Sequence, residues 1–246
     1  MESQTTLKKG SSQKKLRRAA ARIPHEVDHQ LVNLGLRAGD RDYVRFIILT
    51  RGRTGSNLLL SALEQHSNVL AYGELFSRPG RVRWDRKFGI KRQEMAQLAV
   101  DEPGEFVTQT IFRKYPAKLK AVGFKLFYHH AREEPGNKLW PYLRDDGGLR
   151  IIHLRRRNLL KMVLSAQVAF RSGKWYLIES DSKKQTARFD KSRPIKLDYD
   201  ACLQEFKKTR ALEEQCGDYF SDHPTINLWY EQLVQDYPQQ IGMVQD

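Results

Sequence analysis

YVRFIILTRGRTGSNLLLSAL, residues 43–63, changes character twice. Residues 43–50 form an apolar run rich in β-branched and aromatic side chains that stops abruptly at RGRTGS, the pattern of a buried strand entering a tight loop. From 56 to 65 the apolar positions Leu58, Leu59, Ala62 and Leu63 recur at three- and four-residue spacing, which predicts a helix. Strand, glycine loop and helix in succession open a parallel α/β sheet. The loop then falls outside the carboxyl end of a strand, where such sheets bind ligands.

The same alternation continues outward. Residues 69–75, 121–128 (AVGFKLFY), 149–154 (LRIIHL) and 225–230 read as further strands. Helical spacing covers 93–100, 105–115, 158–170 and 199–220, and resumes from Glu231. The expected class is α/β, a parallel sheet flanked by helices in a P-loop-like arrangement. Residues 77–92, basic and interrupted by Pro79 and Gly80, read as a surface loop, and the polar stretch 172–197 as a mobile loop on the substrate side. A chain of 246 residues that is 40% hydrophobic can close one core, so a single domain is expected over 41–246 behind a basic, flexible segment, 1–40.

The charge is lopsided: 43 Lys and Arg against 29 Asp and Glu leave +14, which implies an anionic partner. Lys8, Lys9, Lys14, Lys15, Arg17, Arg18 and Arg22 face only Glu2 within 1–22, and that tail could touch a membrane surface or stay solvated. No apolar run approaches the roughly 18 residues of a membrane helix, and no signal-peptide pattern opens the chain. Cys202 and Cys216 alone make neither a disulfide framework nor a metal-ligand spacing. A reducing, cytoplasmic location is the expectation.

Two constellations carry chemistry. In the first, RGRTGSN (51–57), Gly55 permits close approach, Arg53 supplies a forked cation, and Thr54, Ser56 and Asn57 add donors beside the amides that open the helix, a phosphate cradle by composition. It lacks the lysine of a GxxxxGK[ST] loop, which demotes a nucleotide kinase or hydrolase. In the second, Arg155, Arg156 and Arg157 follow a buried strand, and Ser165 lies two helical turns beyond Arg157. The bland readings are a glycine turn and a solvated basic rim; together the two sites suggest two phosphates.

In their order, four segments resemble the PAPS-dependent sulfotransferases, above all the bacterial trehalose-type carbohydrate sulfotransferases. LTRGRTGSNLLLSAL is similar to the family's 5'-phosphosulfate loop, and LRRRNLLKMVLS to its 3'-phosphate motif, which makes Arg157 and Ser165 the 3'-phosphate pair. NLWYEQLVQDYP is similar to the late element whose tyrosine, here Tyr230, lies near the adenine; VGFKLFY resembles the strand whose lysine, here Lys125, lies at the active centre. The matches span about 44–241. The resemblance implies transfer of a sulfuryl group from 3'-phosphoadenosine 5'-phosphosulfate (PAPS) to a hydroxyl of a carbohydrate or glycolipid, with no metal, Arg53 and Lys125 stabilising charge and Glu74 as general base. Many relatives continue into a C-terminal segment that closes over the nucleotide, whereas this sequence ends at Asp246, so the domain is expected to lack that end.

His129 and His130 are ranked below Glu74 as the base because the gap from Lys125 is longer than in the cytosolic phenol and steroid enzymes. His153, inside a strand, reads as a core histidine, and Trp175 as a packed residue or a sugar platform. A non-catalytic basic protein for nucleic acid or acidic glycans is the rival from another class; it leaves Glu74 and Lys125 unexplained, and nucleic acid is disfavoured as a partner.

Overall fold

The computed structural model describes residues 31–32, 34–77, 93–132, 138–173 and 194–245. The basic tail, nearly all of the 77–92 loop, most of 172–197 and Trp175 lie outside the described residues.

Strands β1 (Val44–Thr50), β2 (Val69–Glu74), β3 (Ala121–Phe127), β4 (Leu149–Arg155) and β5 (Thr225–Trp229) form one sheet in the order β2-β3-β1-β4-β5, every neighbouring pair parallel. The helices are α1 (Ser56–Leu63), α2 (Gln93–Asp101), α3 (Pro103–Phe106), α4 (Leu139–Asp145), α5 (Leu159–Ser172), α6 (Tyr199–Tyr219), α7 (Tyr230–Gln235) and α8 (Tyr237–Gln245).

The central strands are apolar throughout because both faces are covered. Ile47, Leu49, Tyr72, Phe124, Leu126 and Ile151 pack on one face with Phe106 of α3, Leu143 of α4, Cys216 of α6 and Phe220 just beyond it. Phe46, Ile48, Ala71, Ile152, Leu154 and Leu228 point the other way, onto Leu59 and Leu63 of α1, Leu233 of α7 and Ile241 of α8. The period of two along each strand thus fills two cores from one sheet.

Two expectations are corrected, and one helix is added. The helix expected over 105–115 is the single turn α3 followed by a π turn, Val107–Ile111. The helix after Glu231 starts one residue earlier, at Tyr230, and is broken between Gln235 and Tyr237. Helix α4 was not anticipated, because Pro141 within LWPYLRD reads as a breaker. There the proline sits in the first turn, whose N–H groups lack intrahelical acceptors in any case.

Strand β1 sits between β3 and β4. The chain leaves β1 towards the β2 side of the sheet and leaves β4 towards β5. The chain therefore turns in opposite directions after β1 and β4, the switch point at which open parallel sheets bind ligands outside the carboxyl ends of their strands.

Candidate active site

The loop after β1 is built by its hydroxyls and its handedness. Thr54 Oγ1 lies 2.8 Å from the Arg51 carbonyl oxygen and 2.7 Å from Thr50 Oγ1, which itself reaches the Leu154 carbonyl oxygen on β4 at 2.6 Å. The Thr54 hydroxyl, expected to face an anion, instead fastens the loop to the sheet; Thr54 is 1% exposed and Ser56 is also buried. Arg53 and Gly55 both adopt left-handed backbone, with φ of 69° and 87°. The turn delivers the chain to α1, whose first amides, including Ser56 and Asn57, have no intrahelical acceptor and suit an anion.

Glu74 and Lys125 meet through an irregularity in β2. Tyr72 is in register with Phe124, and regular pairing would set Gly73 opposite Lys125; a bulge sets Glu74 there instead. One extra residue moves the carboxylate off the face that Tyr72 fills and onto the face of α1. Lys125, 2% exposed, donates from Nζ to Glu74 Oε1 at 3.0 Å and to Asn57 Oδ1 at 2.6 Å. A buried ammonium requires such partners. Glu74 is thus paired with the strand lysine, and Asn57 contributes an acceptor to this triad.

At the end of β4 the three arginines separate. Arg155 Nη2 donates to Asn227 Oδ1 at 2.9 Å. Arg156 Nη1 donates to the Arg53 carbonyl oxygen at 2.8 Å, and its Cζ lies 4.4 Å from the centre of the Tyr230 ring. That ring closes over Gly55, where a Cβ would stand 2.3 Å from Tyr230 Cδ2. Ser165 Oγ accepts from Arg53 Nε at 2.9 Å, while the exposed Arg157 has its Cζ 5.1 Å from the Trp229 ring centre. The residues expected to hold a 3'-phosphate therefore have separate partners: Ser165 joins the loop after β1 and Arg157 the end of β5. Glu231 accepts the amides of Arg157 and Asn158, both at 3.0 Å, and fixes this turn.

Arg156 and helix α6 were not singled out as site residues in the sequence. Arg51 is held by Glu205 and Thr209 of α6, and Glu213 lies one further turn along the same helix. The spacing 205, 209, 213 is the signal that could have found them: three polar residues at four-residue intervals make one helical stripe.

The histidines divide as their surroundings dictate. His153 Nε2 bonds Tyr128 Oη at 2.8 Å and is 2% exposed, a satisfied core histidine whose pKa burial lowers to about 4, Arg155 adding to the effect. His130 is equally buried and its Nδ1 accepts the Phe127 amide at 3.2 Å. His129 faces solvent on one side; burial on the other, then Arg51, lowers its pKa, and Glu74 opposes them.

Burial, and then the neighbouring Arg156, lower the pKa of Arg53. An anion placed between the loops would relieve both effects. The carboxylates nearby are already engaged, Glu74 with Lys125, Glu205 with Arg51 and Glu231 with two amides. The residues thus fit a ligand with two phosphate-type groups, one at the Arg53 loop and one at the Arg157 turn. Among the described residues, no helix is long and apolar enough to cross a membrane.

No family model matches the chain. Nodulation protein H of Rhizobium tropici is 26% identical over 191 residues, 77% of this chain and 69% of that protein. Its namesake from Rhizobium meliloti (strain 1021) is 26% identical over 199 residues, 78% of this chain and 71% of that protein. Among solved structures, the sulfotransferase from Alicyclobacillus acidocaldarius aligns over 80% of this chain and 76% of its own, with a TM-score of 0.43 and 16% identity. Mouse sulfotransferase SULT7A1 complexed with PAP aligns over 90% of this chain and 64% of its own, with a TM-score of 0.40 and 12% identity. These superpositions are too loose to transfer residue positions. The four motifs singled out in the sequence converge, in order, on one sheet edge, and the chain is similar over most of its length to nodulation protein H.

Proposed function

We propose that this chain is a PAPS-dependent sulfotransferase acting on a carbohydrate-type hydroxyl, with Glu74 as general base and with Lys125 and Arg53 stabilising the charge that develops on the transferred group and the leaving phosphate. The observation that carries the reading is Lys125 Nζ, bonded at once to Asn57 in the phosphosulfate loop and to Glu74 at the end of β2. One buried cation thereby holds base and anion cradle at a fixed separation.

Sulfuryl transfer needs an in-line approach and neutralised oxygens, as phosphoryl transfer does. The bond formed joins the acceptor oxygen to sulfur, and the bond broken joins sulfur to the 5'-phosphate oxygen. Glu74 takes the acceptor proton, with Oε2 as the oxygen that Lys125 does not hold. Arg53, held in place by Ser165, and the first amides of α1 face the leaving phosphate. Arg157, Ser165 and Tyr230 are the residues proposed for the 3'-phosphate and adenine. The acceptor class rests on the resemblance of the motifs to carbohydrate sulfotransferases and on the use of a carboxylate base.

The test begins with radiolabelled PAPS offered to glycans, glycolipids and phenols. Label is expected on a glycan or glycolipid, and transfer confined to phenols would overturn the acceptor class. With the acceptor found, Glu74→Gln should lower kcat by about 100-fold or more, the usual contribution of a general base, while binding of 3'-phosphoadenosine 5'-phosphate (PAP) is preserved. Near-normal turnover at saturating PAPS would remove Glu74 from the role.

A further inference from the structure

Trp229 is ringed by three guanidinium groups. The Cζ atoms of Arg155, Arg157 and Arg210 lie 4.5, 5.1 and 5.8 Å from its ring centre. Two of the three come from the end of β4 and its turn; Arg210 comes from the middle of α6. Arg210 Nη2 donates to the Arg157 carbonyl oxygen at 3.3 Å and Nη1 to Glu213 Oε2 at 2.5 Å. It is therefore fixed to the backbone of a proposed 3'-phosphate residue and steered from beneath by a carboxylate.

The charges around the indole do not balance. Glu213 is 5% exposed, and neither its Oε1 nor Arg155 Nε has a hydrogen-bond partner. Glu231 directs both oxygens to amides of the same turn. One buried carboxylate thus serves three cations, and the excess positive charge reaches solvent where the Arg210 side chain, 45% exposed, and Arg157 emerge. The indole face favours cations, but three of them so close still repel, and an anion among them would remove the conflict. Arg210 keeps N–H groups beyond the two already engaged, because a guanidinium carries five.

We propose that Arg210 is a second cation of the 3'-phosphate subsite, held over Trp229 by Glu213, so that the 3'-phosphate of the donor lies between Arg157 and Arg210. This deepens the donor reading above and rests on it. Glu213 is a positioning residue: it meets Arg210 and not the donor.

The experiment is calorimetry on the full chain with PAP and with adenosine 5'-monophosphate, which lacks the 3'-phosphate. Wild type should prefer PAP; equal affinities would overturn the two-phosphate donor reading itself, whatever the variants do. Given that preference, Arg210→Gln should weaken PAP by about 10- to 100-fold, the worth of a charge-assisted hydrogen bond, and change the monophosphate by less than about threefold. Glu213→Gln should weaken PAP in the same selective way but by less. Unchanged PAP affinity, or equal losses for both ligands, would overturn the role of Arg210. Should Arg210→Gln fail to fold, Arg210→Lys carries the test. It keeps the charge and loses the fork, so a several-fold loss for PAP alone is expected, and parallel effects on both ligands overturn the proposal.

Discussion

Gly55 is the residue on which the nucleotide side of the site turns. Its φ of 87° is a conformation that costs an L-residue about 1–3 kcal/mol, and the Tyr230 ring occupies the space a Cβ would need. Gly55→Ala is expected to lose stability by at least that strain and to displace Tyr230 from its contact with Arg156. Denaturant unfolding and a PAP titration read the two effects separately. A variant with normal PAP affinity and stability would show that the loop relaxes without moving the tyrosine. Arg53 holds a similar conformation without the glycine, strain of the kind found where a side chain must be aimed.

At the scale of elements, the site is made by ends and irregularities. Helix α7 begins with Tyr230 on the glycine loop and continues with Glu231, whose two oxygens receive the amides of Arg157 and Asn158. Burial tends to raise the Glu231 pKa, but those amide bonds, with Arg156 nearby, outweigh it and hold the carboxyl below its ordinary range. Glu231→Gln replaces one acceptor oxygen with a donor facing an amide. It should cost about 1–3 kcal/mol of stability and raise the KM for PAPS more than it lowers kcat, as steady-state kinetics at varied PAPS would read; a change in kcat alone would refute a role in shaping the 3'-phosphate turn. Much of this scale was legible in the sequence. The apolar run 43–50 and the glycines after it gave the central strand and the loop, and helical spacing over 158–170 placed a helix after β4. The bulge that brings Glu74 to Lys125 was not legible, because a one-residue shift in pairing leaves no periodic trace. Nor was the inward turn of the Thr54 hydroxyl, which depends on a carbonyl of β4 about a hundred residues away. The α6 stripe was hidden for another reason, since polar residues along a long helix also describe a solvated face.

At the scale of the whole molecule, two buried histidines, His153 on β4 and His130 in the turn after β3, make stability sensitive to acid. His130 Nδ1 accepts an amide hydrogen, and His153 Nε2 shares a hydrogen bond with the hydroxyl of Tyr128, whose own pKa burial raises. Burial lowers the His153 pKa to about 4, Arg155 assisting, and the His130 pKa to about 3, His129 and Lys125 assisting. In the unfolded chain both titrate near 6.5. Between that value and the folded ones the unfolded state binds more protons, so stability falls as pH falls through the window. At about 1.4 kcal/mol per pH unit and per group, His153 alone costs roughly 3 kcal/mol between pH 6.5 and 4, a large share of the stability of an ordinary domain. Glu213 works against this trend, since burial raises its pKa and protonation there favours the fold, whereas Glu231 works with it. Denaturant unfolding at several pH values should show wild type losing stability steeply below 6.5. His153→Gln should be less stable at neutral pH yet lose less on acidification, because the group that titrates on unfolding is gone; identical slopes would mean that His153 is protonated in the fold. Because His153 lies on β4 and His130 in the turn after β3, and these strands also carry Lys125 and lead to Arg157, PAP binding should decline over the same window as the strands that position both residues open.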